Sequence, residues 1–262
     1  MSERKDVITI DGPAGSGKST ISRLLAKRLN WLYLDTGAMY RAVALAANRK
    51  HIDLNDGKKL GELCHSLNLN FKTDEDPAKL FLDNKDISAA IRSPEMDMLS
   101  SKVSSVKEVR EAMADLQRKM AEGLKVVAEG RDMGTVVFPL AEHKYFVTAS
   151  LEVRAERRYR ERLERGESVS RVVVEAELKK RDDQDGTRPL APLRPAKGAR
   201  VIDSTRLTPE DVVKQVLDHL AENVLSGNTW TACERQLSSS TTSSRDPDSG
   251  SESHHIDEFE VL

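Results

Sequence analysis

The sequence predicts an α/β fold with a five-stranded parallel sheet. Strand-like and helix-like segments alternate along the chain, which is typical of a parallel sheet covered by helices on both faces. A glycine-rich loop also separates the first strand from the first helix, which is the order of elements that a phosphate-binding loop requires. The strand candidates are residues 7–10, 31–34, 125–128, 145–148 and 199–202.

The glycine-rich loop carries a complete phosphate-binding motif. Residues 12–19 read GPAGSGKS, which matches G-x-x-x-x-G-K-[ST] directly after the apolar run 7–10. Glycines let consecutive backbone N–H groups point at phosphates, Lys18 brings a charge to the β and γ oxygens, and the Ser19 hydroxyl is placed to ligate Mg²⁺. The motif predicts a nucleoside triphosphate site. Its residues are Gly12, Pro13, Ala14, Gly15, Ser16, Gly17, Lys18, Ser19 and Thr20.

One segment breaks the alternation between the second and third strands. Residues 67–71 read LNLNF and residues 80–82 read LFL, which we interpret as strands with a period of two, and residues 84–86 have the composition of a turn. We therefore predict a small antiparallel insertion. Two helical stretches follow it, at 94–103 and 106–120.

The last helix is predicted to begin after Thr208. Pro209 suits the first helical position, and Asp211 completes a capping box with Thr208. The apolar face that includes residues 212–216 should close the core. Residues 226–262 are rich in Ser, Thr, Asp and Glu with little apolar periodicity, and we expect this tail to be disordered.

Composition limits the class of protein. The 262 residues are 38% hydrophobic and 32% charged with a net charge of −2, which predicts a soluble chain with one main core. Neither a membrane span nor a signal peptide is indicated, so we expect a cytoplasmic location. The net charge argues against a dedicated nucleic-acid binder. Cys64 and Cys233 have no C-x-x-C partner, so neither a disulfide framework nor a zinc site is expected.

Other polar segments favour a kinase over a GTPase or a motor or helicase ATPase. A GTPase should carry N-K-x-D, but residues 84–87 read NKDI. A motor or helicase ATPase usually has a strand that ends in Asp-Glu, whereas residues 126–132 read VVAEGRD. The arginine at this strand end, Arg131, suits a second substrate that bears a phosphate.

Arginines accumulate between residues 151 and 191. Arg181 and Arg188 flank a polar stretch that could fold over a nucleotide, and guanidinium groups suit phosphoryl oxygens. The arginines of the preceding helix have nearby glutamates and are predicted to form surface ion pairs. These are Arg154, Arg160, Arg162 and Arg165, with Glu152, Glu156, Glu161 and Glu164 as partners.

Two other functions stay open from the residues alone. One concerns the acceptor of the kinase, which could be a small molecule such as UMP or a hydroxylated metabolite. The other is a nucleotide-binding regulatory protein that uses its arginine-rich segment on RNA. Docking of a partner by the tail is compatible with kinase activity.

The chain resembles the bacterial cytidylate kinases, the (d)CMP kinase branch of the nucleoside monophosphate kinases. The matching motifs span residues 7 to about 224, and the tail matches no part of the family. They are IDGPAGSGKS at 10–19, LDTGAMYR at 34–41, GRDMGTVVFP at 130–139, KRDD at 180–183 with Asp185 and Arg188, and IDST at 202–205.

The resemblance implies a division of residues 1–225 into three parts of a P-loop NTPase fold. A core carries a monophosphate-binding region, enlarged by the insertion, and a short lid. The implied bounds are 1–37, 116–151 and 189–225 for the core, about 38–115 for the monophosphate-binding region and about 152–188 for the lid.

The resemblance also implies which residues bind the acceptor, CMP or dCMP. Arg41 and Arg131 would hold its phosphate, Arg181 and Asp185 would contact the sugar hydroxyls, and three residues would line the pocket. A further set would read the cytosine edge, with Arg110 donating to the base carbonyl and Asp132 accepting from the exocyclic amine. The pocket residues are Asp35, Thr36 and Tyr40; the base is read by Ser101, Arg110 and Asp132, with Arg188 adding to its recognition.

The implied reaction moves the γ-phosphoryl group of ATP to CMP or dCMP, with Mg²⁺ as cofactor. Lys18, Arg131 and Arg181 would neutralise the charge that spreads during transfer. The expected partners are these small molecules only, without nucleic acid or membrane, for a monomeric chain. Structural roles are alternatives at four positions: an ion pair between Arg131 and Asp132, a helix cap by Asp35, and a surface helix position for Arg110.

Overall fold

The computed structural model of the chain describes residues 4–72 and 79–225. Helices and strands alternate as the sequence predicts. In chain order the elements are β1 (Arg4–Asp11), α1 (Lys18–Leu29), β2 (Leu32–Asp35), α2 (Thr36–Arg49), α3 (Gly57–Ser66), β3 (Leu69–Lys72), β4 (Lys79–Leu82), β5 (Lys85–Asp86), α4 (Pro94–Val103), α5 (Lys107–Met120), β6 (Val126–Gly130), β7 (Ala141–Thr148), α6 (Leu151–Glu164), α7 (Arg171–Thr187), β8 (Arg200–Asp203) and α8 (Pro209–Leu225).

The five predicted strands form one sheet in the order β2-β6-β1-β7-β8, and every pair is parallel. The α/β prediction is therefore confirmed. β1 is central, and Val7, Ile8 and Ile10 are fully buried, as expected for a strand covered on both faces. The register places Asp11, the last residue of β1, opposite Gly130, the last residue of β6. The segments that follow β1 and β6 are therefore neighbours at the carboxyl edge of the sheet.

The antiparallel insertion is also confirmed. β3, β4 and β5 form a three-stranded sheet, with Leu69 opposite Leu82. The turn between β4 and β5 is one residue earlier than the predicted 84–86, because Asp83 and Asn84 take positive φ angles of 50° and 62°. Two consecutive positive φ angles match the twist of an antiparallel pair, and Asp and Asn tolerate them better than most side chains.

The last helix begins as predicted. The Thr208 hydroxyl accepts the N–H of Asp211 at 3.2 Å, and an Asp211 oxygen accepts the N–H of Thr208 at 3.0 Å, which is a reciprocal capping box. Val212, Val213 and Val216 are fully buried. The predicted disorder of residues 226–262, and with it Cys233, lies outside the described residues.

By its contacts the chain divides into Met1–Val216 and Leu217–Leu262, and the site described below belongs to the first unit. Among the described residues, no helix is both long enough and apolar enough to span a membrane.

Close approach between the glycine-rich loop and β7 makes Gly12 sensitive to substitution. A Cβ atom at Gly12, whose φ is 148°, would lie 2.0 Å from the carbonyl oxygen of Val147. At Gly123, where φ is 71°, a Cβ would meet no atom within 4 Å. We expect Gly12→Ala to lower the free energy of unfolding by at least about 3 kcal/mol, against about 1 kcal/mol for Gly123→Ala. Urea unfolding followed by circular dichroism measures both, and equal losses would contradict the steric explanation.

Candidate active site

The predicted site residues meet in one cleft of about 630 Å³ at the carboxyl edge of the sheet. Residues from the glycine-rich loop, α2, α4, α5, the segment after β6, α6 and α7 line it. All predicted nucleotide-binding and acceptor-binding residues are among them except Gly12 and Pro13, which are buried at the start of the loop. The cleft brings together residues that are more than 170 positions apart in the sequence.

Lys18 lies at the centre of the positive charge in this cleft. Its Nζ donates to the carbonyl oxygen of Pro13 at 2.7 Å, and its side chain is buried. Burial, followed by the charge of Arg131, lowers the pKa of Lys18 to about 7, and the carboxylate of Glu129 acts against this shift. An anion beside Lys18 would restore its charge, since it would stabilise the ammonium form.

Ser19 belongs to a small oxygen cluster at the end of β6. Its hydroxyl donates to Oε1 of Glu129 at 2.7 Å, and the hydroxyl of Tyr33 donates to Oε2 of Glu129 at 2.6 Å. Burial, followed by the carboxylates of Asp35 and Glu129, holds the pKa of Tyr33 well above its ordinary value. Tyr33 therefore stays a neutral donor, and the cluster offers the hard oxygen atoms that Mg²⁺ prefers.

Sequence analysis missed the roles of Glu129 and Tyr33. The available signal was an acidic residue at the carboxyl end of a strand, which we used only to argue against a motor ATPase. Parallel neighbours end at the same edge of the sheet, so an acidic residue there faces the phosphate-binding loop. Which strand lies beside β1 is fixed by the sheet order and not by the local sequence.

The segment after β6 presents Arg131 and Asp132 to the cleft. Asp132 forms a buried ion pair with Arg110 of α5, and the Arg110 guanidinium also donates to the carbonyl oxygen of Ser104 at 3.1 Å. The Arg110 guanidinium carbon lies 5.8 Å from the ring centroid of Tyr40. The alternative of an Arg131–Asp132 pair is therefore wrong, and so is a surface position for Arg110.

Four arginines gather opposite the glycine-rich loop. Arg131 donates through Nε to Asp185 at 3.1 Å, and Arg188 lies 3.7 Å from the same carboxylate. The Nε atoms of Arg41, Arg181 and Arg188 are buried without a hydrogen-bond partner. Burial, together with the charge of Arg131, lowers the pKa of Arg181 to about 10. This cluster has more cations than carboxylates to balance them, which is the electrostatic pattern of an anion site.

The acceptor-pocket residues of α2 also have structural contacts. Asp35 caps α2 by accepting the N–H of Ala38 at 2.8 Å, so the helix-cap alternative is confirmed, and its other oxygen lies 3.7 Å from Arg41. The Thr36 hydroxyl donates to the carbonyl oxygen of Glu129 at 2.6 Å. Ser101 lines the cleft, and its carbonyl oxygen accepts the Ser104 hydroxyl at 2.9 Å.

The prediction for Arg154 is wrong, whereas the ion pairs of the exposed arginines on α6 are confirmed. Arg154 is buried, donates to the carbonyl oxygens of Ala14 at 3.2 Å and Ala149 at 2.9 Å, and pairs with Asp182 at 2.7 Å. It therefore fixes α6 and α7 to the glycine-rich loop. The confirmed surface pairs are Arg160 with Glu156 and Arg165 with Glu161. Arg162 differs from the prediction, because its side chain is largely buried and pairs with Glu167 and Glu177.

Two further arginines of α6 reach the cleft without having been predicted as site residues. Arg157 donates to the hydroxyl and the carbonyl oxygen of Ser204 at 3.1 and 2.8 Å. Arg158 pairs with Asp97 of α4, and Asp97 also lies 3.8 Å from Arg41. Arg158 thus connects α6 with the region that carries the insertion.

Comparison with known proteins agrees with this geometry. The family model described as cytidylate kinase matches residues 8–222. The curated cytidylate kinase of Vibrio cholerae is 44% identical over 86% of this chain and 100% of that protein, and the one of Caldicellulosiruptor bescii is 46% identical over 82% and 95%. The cytidylate kinase of Pelotomaculum thermopropionicum is 50% identical over 80% of this chain and 93% of that protein. Since the match extends over most of the chain, the protein belongs to the cytidylate kinase family.

Proposed function

We propose that this chain transfers the γ-phosphoryl group of ATP to the 5′-phosphate of CMP or dCMP, forming CDP or dCDP and ADP. This reaction belongs to pyrimidine nucleotide metabolism. One observation carries the proposal beyond family membership: a phosphate-binding loop and a separate arginine cluster line the same cleft. A hydrolase needs the first of these, whereas a kinase with a phosphorylated acceptor needs both.

The donor binds at the loop 12–17 and the start of α1. Gly15 and Gly17, at φ angles of 75° and 88°, let the backbone N–H groups of the loop turn toward the phosphates. Lys18, freed from the Pro13 carbonyl, bridges the phosphates during transfer. Ser16 and Thr20 belong to the same donor-binding set.

The oxygen cluster fits Mg²⁺. Ser19 and Glu129 would hold the ion, directly or through water, and Tyr33 orients the carboxylate by its hydrogen bond. When bound, Mg²⁺ neutralises charge on the β- and γ-phosphates.

The acceptor phosphate binds between Arg41, Arg131 and Arg181. The buried Nε–H groups of Arg41 and Arg181 have no hydrogen-bond acceptor. The oxygens of a phosphate group are acceptors with the negative charge that these guanidinium groups favour. Asp185 keeps these cations at their spacing. Although burial acts in the opposite direction, Arg131, Arg181 and Arg188 hold the pKa of Asp185 below its ordinary value, so the carboxylate stays ionised. Arg181 and Asp185 also face the sugar hydroxyls.

The buried pair Arg110 and Asp132 reads the base. A guanidinium donor beside a carboxylate acceptor matches a cytosine edge, which offers a carbonyl acceptor beside an amine donor. Uracil carries a carbonyl oxygen in place of the amine. The Asp132 carboxylate and this oxygen are both hydrogen-bond acceptors, so no hydrogen bond can form between them. Ser101 and Arg188 complete this end of the pocket, and Asp35, Thr36 and Tyr40 form its wall.

No general base is needed for this reaction. A phosphate monoester has a second pKa near 6, so the acceptor is mainly a dianion at neutral pH and is itself the nucleophile. Catalysis then follows from in-line positioning and from neutralisation of the spreading charge by Lys18, Arg131 and Arg181. Water is the competing acceptor, and closure of the cleft excludes it.

We assign closure to the lid, about 152–188, moving against the monophosphate-binding region, about 38–115, on a core of 1–37, 116–151 and 189–225. The contact between Arg158 and Asp97 supports closure between these parts, because it joins α6 of the lid to α4 of the monophosphate-binding region. Cytoplasmic location and a monomeric state stay predictions, and the tail 226–262 has no assigned role.

The first test measures ADP production from Mg-ATP with CMP, dCMP, UMP, AMP and GMP offered separately. We expect CMP and dCMP to be preferred. Lys18→Ala and Arg131→Ala should each lower kcat at least about 100-fold, because each removes a positive charge that neutralises the transferred phosphoryl group. The circular dichroism spectra of both variants should match that of the wild type. Arg160→Ala, which removes an exposed arginine paired with Glu156, should retain full activity. Transfer to none of the five acceptors would contradict the proposal.

The base-reading assignment is tested by Asp132→Asn. An amide can point its NH₂ group at uracil, so the ratio of kcat/KM for CMP to that for UMP should fall at least about tenfold. Asp83→Asn, a matched change at an exposed turn that tolerates asparagine, should leave the ratio unaltered. An unaltered ratio in Asp132→Asn would remove Asp132 from base recognition.

The metal assignment is tested by Glu129→Gln. The amide keeps one oxygen for a hydroxyl partner but loses the negative charge, so the Mg²⁺ concentration for half-maximal rate should rise about tenfold. The affinity for metal-free ATP should stay constant, and the exposed substitution Glu122→Gln should behave as the wild type. An unchanged Mg²⁺ requirement would show that Glu129 only orients Ser19.

A further inference from the structure

Asp11 lies beneath the cleft and has no role in the proposed chemistry. It is the last residue of β1, and 2% of its surface is exposed. Its Oδ1 accepts the N–H of Met133 and its Oδ2 accepts the N–H of Gly134, both at 2.8 Å. One carboxylate therefore satisfies two consecutive backbone donors of the segment that follows Arg131 and Asp132.

The opposite end of this segment is also held by a charged side chain. Met133–Val137 forms a single π-helical turn, whose last carbonyl groups lack partners within the turn. Arg118 of α5 donates through Nε to the carbonyl oxygen of Val137 and through Nη2 to that of Val136, both at 3.0 Å. An anion thus binds the N–H end and a cation binds the C=O end, the arrangement that the peptide dipoles favour.

Gly134 allows the turn to lie this close to β1. A Cβ atom at residue 134 would lie 3.0 Å from the Thr9 hydroxyl, 3.1 Å from the Ala196 side chain and 3.4 Å from Oδ2 of Asp11. These distances leave little room for movement toward the strand, so the turn rests against β1 at a fixed separation.

The two ends of this contact connect to the two substrate sites. Asp11 is followed directly by Gly12, where the phosphate-binding loop begins, and Met133 is preceded directly by Arg131 and Asp132. The carboxylate therefore joins the backbone that holds the donor to the backbone that holds the acceptor. The pairing of β1 with β6, which ends where Asp11 faces Gly130, and the hydrogen bond from Ser19 to Glu129 also belong to that connection.

Stability does not account for a carboxylate at this position. Burial raises the pKa of Asp11 from 3.8 to about 6, although the two N–H groups and Lys18 act against this rise and Asp132 adds to it. Between these two pH values the folded chain holds a proton that the unfolded chain has lost, so the stability of the fold falls as the pH rises through this window. At neutral pH the ionised carboxylate therefore stabilises the fold less than its protonated form would, and we explain its presence by the backbone that it holds.

We propose that Asp11 is a positioning residue for phosphoryl transfer: it holds the turn that carries Arg131 and Asp132 at the separation from the phosphate-binding loop that in-line transfer requires. The inference rests on the proposed function. Asp11 does not line the cleft, so its loss removes no substrate contact but lets the turn with Arg131 and Asp132 shift relative to the phosphate-binding loop. Displacement of a reacting group by about 1 Å can reduce the rate about 100-fold, and a misaligned acceptor leaves the γ-phosphoryl group open to attack by water.

Asp11→Asn tests this assignment. Asparagine offers one acceptor oxygen, so one of the two N–H groups then faces an NH₂ group and the turn is released on that side. We expect kcat for CDP formation to fall about 100-fold, while the dissociation constant of ATP, measured alone by titration calorimetry, changes less than about threefold. We also expect ADP to form in excess over CDP when both products are quantified. Wild-type protein should form them one to one.

Ile8→Ala provides the control. Ile8 is buried on the same strand as Asp11, but its side chain lies on the opposite face from Thr9 and Asp11, which meet the turn. Its truncation therefore weakens the fold without removing a contact of the turn. Its ratio of ADP to CDP should stay at one. Arg118→Met releases the other end of the turn and should raise the ratio as Asp11→Asn does, and it serves as the test if Asp11→Asn does not fold.

The outcomes separate the two hypotheses. If wild-type protein forms no CDP or dCDP, the proposed function fails. Wild-type protein that forms CDP supports the proposed function. If the folded Asp11→Asn protein, or Arg118→Met in its place, then still forms ADP and CDP one to one, the positioning role is wrong, even where the rate has fallen. An excess of ADP in the variants, with a ratio of one in Ile8→Ala, supports it.

Discussion

The parallel pairing of β1 with β6 is the constraint on which the site depends. These strands are separated by more than 110 residues in the sequence, yet their last residues, Asp11 and Gly130, face each other. The phosphate-binding loop and the arginine-bearing turn therefore leave the same edge of the sheet side by side. Because both strands are buried in the core, this register cannot shift without exposing apolar side chains. The rigid sheet thus sets the distance between donor and acceptor, and the loops supply the chemistry.

The second constraint is electrostatic. Lys18 and the arginines 41, 131, 181 and 188 lie in one cleft, and their mutual repulsion, added to burial, lowers the pKa of Lys18 and of Arg181. Carboxylates of Asp35, Asp97 and Asp185 offset part of this charge and space the cations. Anionic substrates complete the balance, so the folded chain holds in advance the charge that the transferred phosphoryl group requires. Asp97 faces arginines from α2 and from α6, so it connects these two helices at the cleft.

Charged side chains also hold the irregular backbone segments that line the cleft. The N–H groups at the start of the turn after β6 bond to Asp11, and the carbonyl groups at its end bond to Arg118. Arg154 similarly bonds the carbonyl oxygen of Ala14 within the phosphate-binding loop. Each substrate-binding segment is thus held by a charged side chain from another element, which explains how irregular backbone keeps a defined position beside a sheet.

The sequence by itself determined the parts of this protein that depend on neighbours in the chain. The phosphate-binding motif, the capping box of Thr208 and Asp211, the antiparallel insertion and the strand segments all follow from local patterns, and so does the resemblance that the family match confirmed. Only the tertiary structure decided the pairs Ser19–Glu129, Arg110–Asp132 and Arg154–Asp182, because each joins residues that are 22 or more positions apart. Arg154 shows the physical reason: nearby glutamates predict a surface pair, but burial against the phosphate-binding loop offers it stronger partners. Local sequence sets what a side chain can do, and the order of strands in the sheet sets what it meets.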